Sequence, residues 1–203
     1  FTDPILRMQR MDKDGIDFQV VSPSPLTYFH HIEAAEAIAF CRLHNDSCAE
    51  LVRQHPERLG GLAALPMQDP IAAREELHRA VTDLGLWGAA IGTEFGIPLH
   101  SEELDLLYEA FVALDVPLFM HPAPSGIDGP PGDPNLKRFD LDVVIGFAGQ
   151  ESIAVATLIF GGVLDRHPDL DIWISHGGGG IPMLAGRLAQ AARKRPWATE
   201  SIK

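Results

Sequence analysis

The segment DIWISHGGGG at residues 171–180 reads as a short apolar strand that ends in His176 and a run of four glycines. A second strand of the same kind, PLFMHP at residues 117–122, ends in His121. Continuously apolar strands are typical of parallel sheets in which helices cover both faces. Because the carboxyl ends of parallel strands lie at one edge of a sheet or barrel, we expect the two histidines to lie close together.

Strand and helix patterns alternate along the rest of the chain. Three further apolar strands are predicted at residues 18–22, 59–65 and 87–91, and segments of helical periodicity separate them. This alternation predicts an α/β fold with a parallel sheet. The chain has no G-x-G-x-x-G sequence after its first strand, no Walker A sequence and no G-x-S-x-G sequence. The remaining parallel architecture, the (β/α)8 TIM-type barrel, is therefore the fold that we expect.

Local signals predict where several helices begin and end. Asp3-Pro4 and Asp69-Pro70 each place an N-capping carboxylate before a proline that fits the first helical turn. Residues 123–139 are rich in proline, glycine and aspartate, which predicts a long loop. A helix is predicted over residues 141–165, with a break near residues 146–149.

Composition bounds the class of protein. The chain has 203 residues, 46% of them hydrophobic, and a formal net charge of −12, so one sizeable core is expected and non-specific nucleic-acid binding is not. No apolar run reaches the roughly 18 residues that span a bilayer, so no membrane partner is expected. Cys41 and Cys48 lie two helical turns apart, about 10 Å, which is too far for a disulfide. Free thiols indicate a reducing compartment, and we expect a cytoplasmic protein.

Histidine and arginine are the candidate functional residues. A lone histidine at a strand end is more often a hydrogen-bonded core residue, but two at matching strand ends favour a metal site or an acid/base pair. His30 and His31 follow the first strand and are placed to line the same mouth. The other histidines fall away from strand ends and are expected at the surface: His44, His55, His78, His100 and His167.

Several stretches resemble the amidohydrolase-related branch of the amidohydrolase superfamily, and most closely its aminocarboxymuconate-semialdehyde decarboxylases. The likeness runs in the same order across nearly the whole chain. The matching stretches are residues 3–22, 62–68, 88–93, 118–122, 161–163, 175–179 and 186–187.

The resemblance implies a barrel that binds one divalent metal ion, most often zinc. His121 matches the metal ligand at the end of the fifth strand. His176 matches the acid/base that acts on the metal-bound water and the substrate, and elsewhere in the superfamily this histidine can also join the metal. Arg7 matches an arginine that holds a substrate carboxylate. Arg187 matches an arginine that reaches into the neighbouring subunit's site, which implies a homodimer. From spacing alone, each arginine is read as a solvated helix residue.

Two features of the family are absent from this sequence. No two histidines have the H-x-H spacing that the family places at its first strand, and the carboxyl-terminal aspartate ligand is missing as well. We therefore expect residues 1–203 to form one barrel domain that lacks its first strand and its last two strands, as the central portion of a longer chain. A truncated, metal-free product is the alternative.

The function that the resemblance implies is a metal-dependent, non-oxidative decarboxylase, a carbon–carbon lyase, of a small unsaturated or aromatic carboxylic acid. The metal lowers the pKa of its bound water or polarises the substrate. His176 manages the proton that replaces CO₂. Arg7 and Arg187 of the partner subunit hold carboxylates. One alternative is a hydrolase of amides or lactones, or a hydratase, on the same site, and another is an inactive barrel with a binding role.

Overall fold

The computed structural model describes residues 3–123 and 134–197, so most of the loop predicted at residues 123–139 lies outside the described residues. Short strands all pair in parallel, with β1 beside β2 and with β3, β4, β5 and β6 in consecutive order. The strands are β1 Gln19–Val21, β2 Leu59–Gly61, β3 Ala63–Ala64, β4 Ala89–Ile91, β5 Leu118–Met120 and β6 Ile172–Ile174.

Helices connect these strands, as the alternating pattern predicts. The α-helices are α1 Pro4–Asp14, α2 Ala34–Gln54, α3 Pro70–Thr82, α4 Asp105–Leu114, α5 Phe147–Phe160, α6 Val163–Arg166 and α7 Ile181–Lys194. Short 3-10 turns occur at Pro25–Thr27, Glu102–Leu104, Pro134–Lys137 and His176–Gly178, and a π-helical segment occurs at Asp142–Gly146.

The strand predicted at residues 59–65 is interrupted rather than continuous. The Leu62 N–H donates to the Val21 carbonyl at 2.8 Å, whereas the Ala63 N–H donates to the Gly88 carbonyl on the other side at 2.9 Å. The strand therefore changes its partner at Leu62, and β2 and β3 together link β1 to the rest of the sheet. The five predicted strands are confirmed, and their sequential parallel order is that of a barrel.

The predicted helix starts are confirmed by their caps. Asp3 Oδ1 accepts a hydrogen bond from the Leu6 N–H at 3.1 Å, and Asp69 Oδ1 accepts one from the Ile71 N–H at 3.0 Å. Helix α1 ends at Gly15, whose φ of 68° is a left-handed conformation that glycine adopts without strain.

The break predicted near residues 146–149 is wrong. Gly146 keeps helical backbone angles, and the π-helical segment continues directly into α5. The helix ends instead at Gly161, where a Cβ atom would overlap the side chain of His100, and Gly162 then adopts a φ of 70°. The left-handed conformation of Gly162 thus ends the helix.

One helical run, Asp142–Phe160, is long and apolar enough to pass a length-and-composition test for a membrane span. The run has 19 residues, and 28% of its most apolar 18-residue stretch is buried inside the protein. The prediction that the chain has no apolar run of this length is therefore wrong. Core helices of globular domains pass the same test, so this finding is only a weak indication of a membrane span.

The core lies between the sheet and helices α3, α4 and α5. Its members are fully buried apolar side chains, among them Ala63, Leu77, Ala89, Leu107, Phe111, Leu118, Met120 and Leu158. Cys41 is buried, Cys48 is partly buried and both thiols are free, which confirms the prediction that they form no disulfide.

A buried polar cluster joins β3 to helices α2 and α3. Asn45 donates to the Ala64 carbonyl at 2.9 Å and accepts from the Ala64 N–H at 2.7 Å. The same amide donates to Glu76 Oε1 at 2.8 Å, and Arg79 and Arg42 pair with that carboxylate. Because Asn45 and Glu76 are both buried, these bonds fix the position of β3 against its helices.

Candidate active site

The fold brings His121 and His176 together, as the sequence predicts. His121 directly follows β5, and His176 follows β6 after one residue. These two strands are neighbours, with Met120 opposite Ile174 in the register. The two imidazole rings contact each other edge to face, with centroids 4.8 Å apart and planes at 65°. Two side chains that favour metal binding and proton transfer thus share the carboxyl edge of the sheet.

His121 is held in one tautomer by its own loop. Its Nδ1 lies 2.7 Å from the carbonyl oxygen of Pro122. Because a carbonyl only accepts, Nδ1 carries the proton and Nε2 keeps a free lone pair. Burial, the largest influence, lowers the pKa of His121, and the bond to Pro122 opposes it only in part. His121 is therefore a neutral imidazole near pH 7, the form that binds metals.

An aromatic wall lies beside both histidines. The ring of Phe147, at the start of α5, lies 5.6 Å from the His121 ring and 5.6 Å from the His176 ring, measured between centroids. An apolar wall lowers the local dielectric constant and so strengthens electrostatic interactions at this edge.

Sequence reasoning missed Glu151, which lies beneath His176. Its Oε1 is 3.0 Å from His176 Nδ1 and also accepts a hydrogen bond from the Ser175 hydroxyl. Glu151 is fully buried, and its Oε2 has no hydrogen-bond partner among the described residues. One sequence signal was available, because Glu151 is the only charged residue in helix α5.

The glycine run forms a tight left-handed turn between β6 and α7. His176 itself has a φ of 45°, and Gly177, Gly178 and Gly179 have φ values of 66°, 78° and 61°. At Gly179 a Cβ atom would overlap the carbonyl oxygen of Ala148 in α5. These glycines therefore let the strand end approach α5 closely, where Glu151 meets His176.

His30 also lies at the carboxyl edge, as predicted. Its Nε2 would be 2.7 Å from a Cβ atom on Gly92, which directly follows β4. The rings of Tyr28 and Phe95 lie beside it, with centroids 5.5 and 5.7 Å away. The loop after β1 thus extends across the mouth toward β4.

The expectation that His167 lies at the surface is wrong. Only 7% of His167 is exposed, and its Nε2 lies 3.0 Å from Asp105 Oδ1. Arg166 holds the same carboxylate at 3.0 Å. The histidine is buried because it helps to join α6 to the start of α4, away from the strand ends.

The structure does not bring Arg7 to the histidines. Its Nη1 donates to Gln19 Oε1 at 3.0 Å, and Gln19 is the first residue of β1. The amino ends of parallel strands lie at the edge opposite to His121 and His176. Arg7 faces a cavity of about 210 Å³ there, and its role toward a substrate carboxylate stays a prediction from the resemblance alone.

Arg187 lies on the outward surface of α7. The side chain is exposed and makes no hydrogen bond or ion pair within the described ranges 3–123 and 134–197. Met183 on the same helix is 92% exposed. This placement leaves the predicted contact across a subunit interface untested.

The described residues supply only part of a metal site. Among them no group of three or more His, Cys, Asp or Glu side chains is arranged to hold a metal ion. The free Nε2 lone pair of neutral His121 fits the role of one ligand.

Comparisons with known proteins identify the family of this chain. The amidohydrolase family model Amidohydro_2 matches residues 1–201. The chain is 31% identical over 195 residues to the 2-amino-3-carboxymuconate-6-semialdehyde decarboxylase of Dictyostelium discoideum. The alignment covers 96% of this chain and 53% of that protein. It is 34% identical over 196 residues to the gamma-resorcylate decarboxylase of Rhodococcus jostii. That alignment covers 90% of this chain and 58% of the relative. The chain therefore spans little more than half the length of these relatives.

Solved structures show the same fold. The 2,6-dihydroxybenzoate decarboxylase from Rhizobium superimposes with a TM-score of 0.82 at 30% identity, over 92% of this chain and 59% of that chain. The 5-carboxyvanillate decarboxylase of Novosphingobium aromaticivorans, solved with manganese and a nitrobenzoic acid, gives a TM-score of 0.85 at 29% identity, over 94% and 55%. With its parallel barrel-type strand order and its histidine pair at the strand ends, the chain belongs to the amidohydrolase family.

Proposed function

We propose that this chain is part of a metal-dependent, non-oxidative decarboxylase of a small aromatic or unsaturated carboxylic acid. The observation that carries the proposal is the contact between His121 and His176 at the carboxyl edge of the sheet. The decarboxylases named above support it, because each acts on a small carboxylic acid. Decarboxylation needs a group that supplies a proton to carbon, and His176 occupies a position that suits this role.

His121 would hold the metal ion through Nε2. The bound ion supplies positive charge that polarises a substrate oxygen or lowers the pKa of water. Zinc is the ion that we propose, because imidazole nitrogen is among its preferred ligands. Manganese, which is present in the 5-carboxyvanillate decarboxylase structure, is the competing choice.

His176 carries out the proton step in this proposal. The bond between the carboxylate carbon and the substrate breaks, its electron pair stays on the substrate carbon, and CO₂ leaves. The protonated imidazole then donates its proton to that carbon, so that the carboxylate and one proton become the decarboxylated product and CO₂. The Phe147 ring beside both histidines reduces the access of water to this step.

The proposal extends to the whole protein. Residues 1–203 form one barrel domain that is completed by further strands, and the protein works as a cytoplasmic homodimer. Arg187 of the partner subunit binds a substrate carboxylate, which agrees with the exposure of this arginine on α7. Only the resemblance supports a carboxylate-binding role for Arg7, because its contact with Gln19 lies at the amino edge of the sheet, opposite to the histidines.

Two other functions compete with this proposal. A hydrolase of amides or lactones, or a hydratase, would use the same histidines, and an inactive barrel would bind a ligand without turnover. Release of CO₂ separates decarboxylation from both, because neither hydrolysis nor hydration forms it.

The test uses protein expressed from the complete open reading frame and loaded with zinc or manganese. The substrates are 2,6-dihydroxybenzoate, 5-carboxyvanillate and 2-amino-3-carboxymuconate-6-semialdehyde, each labelled with ¹³C at the carboxylate. We expect ¹³CO₂ from at least one acid and one deuterium at the vacated carbon in D₂O. Metal-loaded protein that releases no ¹³CO₂ from any of them would overturn the proposal.

A further inference from the structure

Glu151 is a fully buried carboxylate on a helix face whose other buried residues are apolar. It lies in the middle of α5, with apolar residues on most of the helix, and none of its surface is exposed. Removing an ionised carboxylate from water is unfavourable unless a charged or hydrogen-bonding partner compensates. Its neighbours Ala154 and Val155 fill the same buried face with apolar side chains.

The partners of Glu151 belong to the candidate site. Oε1 lies 3.0 Å from His176 Nδ1 and accepts a hydrogen bond from the Ser175 hydroxyl. Its Oε2 has no hydrogen-bond partner within the described part of the chain. The polar contacts of this carboxylate are therefore with His176, the residue proposed to move the proton, and with Ser175, which directly precedes it.

The contact determines which nitrogen of His176 faces the substrate side. The Ser175 hydroxyl already donates to Oε1, which marks this oxygen as an acceptor, so the proton between Oε1 and His176 Nδ1 belongs to Nδ1. Nε2, on the other side of the ring, is then the atom that exchanges a proton with the substrate. The edge-to-face contact of this ring with His121 and its tilted contact with Phe147 keep it from turning over.

The backbone at His176 needs such support. Its φ of 45° is uncommon for a residue with a side chain, and the following glycines continue the left-handed turn. The hydroxyl of Ser152, one residue after Glu151, accepts the Gly180 N–H at 2.7 Å. Helix α5 thus holds the turn through Ser152 and the imidazole through Glu151.

We propose that Glu151 is a positioning residue that fixes the Nδ1–H tautomer and the orientation of His176 for proton delivery from Nε2. This inference rests on the proposed function for its kinetic consequences. The tautomer itself is a property of the protein that is measured without any substrate.

The test compares Glu151→Gln with Glu76→Gln, a second buried glutamate whose partners, Asn45 and Arg79, lie outside the site. For Glu151→Gln we expect kcat to fall about 10²- to 10⁴-fold, because a glutamine NH₂ group favours the other tautomer. KM and metal content should stay within about two-fold. For Glu76→Gln we expect lower stability with an unchanged kcat.

Histidine ¹⁵N spectra of the metal-loaded protein give the readout that does not depend on activity. We expect His176 to be the Nδ1–H tautomer in the wild type and to shift toward the Nε2–H tautomer in Glu151→Gln. A wild-type Nε2–H tautomer, or a Glu151→Gln variant whose kcat matches that of Glu76→Gln, would overturn the inference. If the wild type shows the Nδ1–H tautomer but releases no CO₂, the proposed function fails while the positioning role stands. If Glu151→Gln does not fold, the wild-type spectrum alone decides.

Discussion

The imidazole rings of His121 and His176 meet edge to face at 4.8 Å, yet their Nδ1 atoms are bound to different partners. That of His121 faces the carbonyl of Pro122, and that of His176 faces the buried carboxylate of Glu151. Either kind of acceptor holds the proton on Nδ1 and leaves Nε2 toward the open side of the ring. A carboxylate differs from a carbonyl in that it also stabilises a positively charged imidazole. In the proposed function the pair divides into one ligand, His121, and one acid/base, His176.

This division predicts different effects for two alanine variants of the protein expressed from its complete open reading frame. For His121→Ala we expect metal affinity to fall at least about 100-fold, since a direct ligand is lost. For His176→Ala we expect full metal content with kcat lowered about 10²- to 10⁴-fold. Elemental analysis and ¹³CO₂ release measure the two effects.

The matched control is His78→Asn, because His78 is exposed on α3 and far from the strand ends in the sequence. It should leave both metal content and kcat unchanged. Loss of metal in His176→Ala would instead identify His176 as a second ligand.

Mixed dimers test the predicted role of Arg187. An Arg187→Ala subunit keeps its own His176, and a His176→Ala subunit keeps Arg187, so a mixed dimer regains one complete site if the arginine crosses the interface. We expect each pure variant to be nearly inactive and the mixture to recover activity, approaching a quarter of the wild-type value at equal ratios. Mixtures that stay inactive after subunit exchange would contradict an arginine shared between subunits.

The strand ends could be predicted from the sequence because each short apolar run stops at a residue that marks it. His121 and His176 follow two such runs, and parallel pairing then requires them to meet at one edge. The N-capping roles of Asp3 and Asp69 could also be predicted, because N-capping depends on residues within one helical turn of each other. Local chemistry and strand direction thus account for what the sequence reveals.

Glu151 and His167 could not be placed in this way because their partners are distant in sequence. Glu151 meets His176 only after α5 packs against the glycine turn, and His167 meets Asp105 only after α6 packs against α4. The position of Arg7 could not be predicted from the sequence for the same reason. A resemblance assigned it to the substrate, while its contact with Gln19 depends on how α1 packs against β1.

The glycine turn gives a prediction about stability. For Gly179→Ala we expect the free energy of unfolding to fall by about 3 kcal/mol, because the new Cβ would overlap the Ala148 carbonyl and the residue keeps a positive φ. Urea denaturation measures the change. Gly186→Ala is the matched control, since nothing lies within 4 Å of a Cβ there. As a substitution within α7 it should raise stability by about 0.5–1 kcal/mol, and equal effects of the two variants would contradict the packing argument.

Asp105 gives a prediction about pH. Burial raises the pKa of this carboxyl, but hydrogen bonds from Arg166 and His167 outweigh that effect and hold the pKa below its usual value. A carboxyl whose pKa is lower in the folded state stabilises the fold above its unfolded pKa of about 3.9. This contribution is lost as the pH falls through the lower, folded pKa. For Asp105→Asn we therefore expect about 1.5–3 kcal/mol less stability at pH 7.

Urea denaturation at a series of pH values checks the sign of this effect. The difference in unfolding free energy between the wild type and Asp105→Asn should narrow below about pH 4, as the wild-type carboxyl takes up its proton. Asp169→Asn is the control, because Asp169 is exposed, and its difference from the wild type should stay near zero throughout. A gap for Asp105→Asn that does not narrow below about pH 4 would show that Arg166 and His167 do not stabilise the charged form.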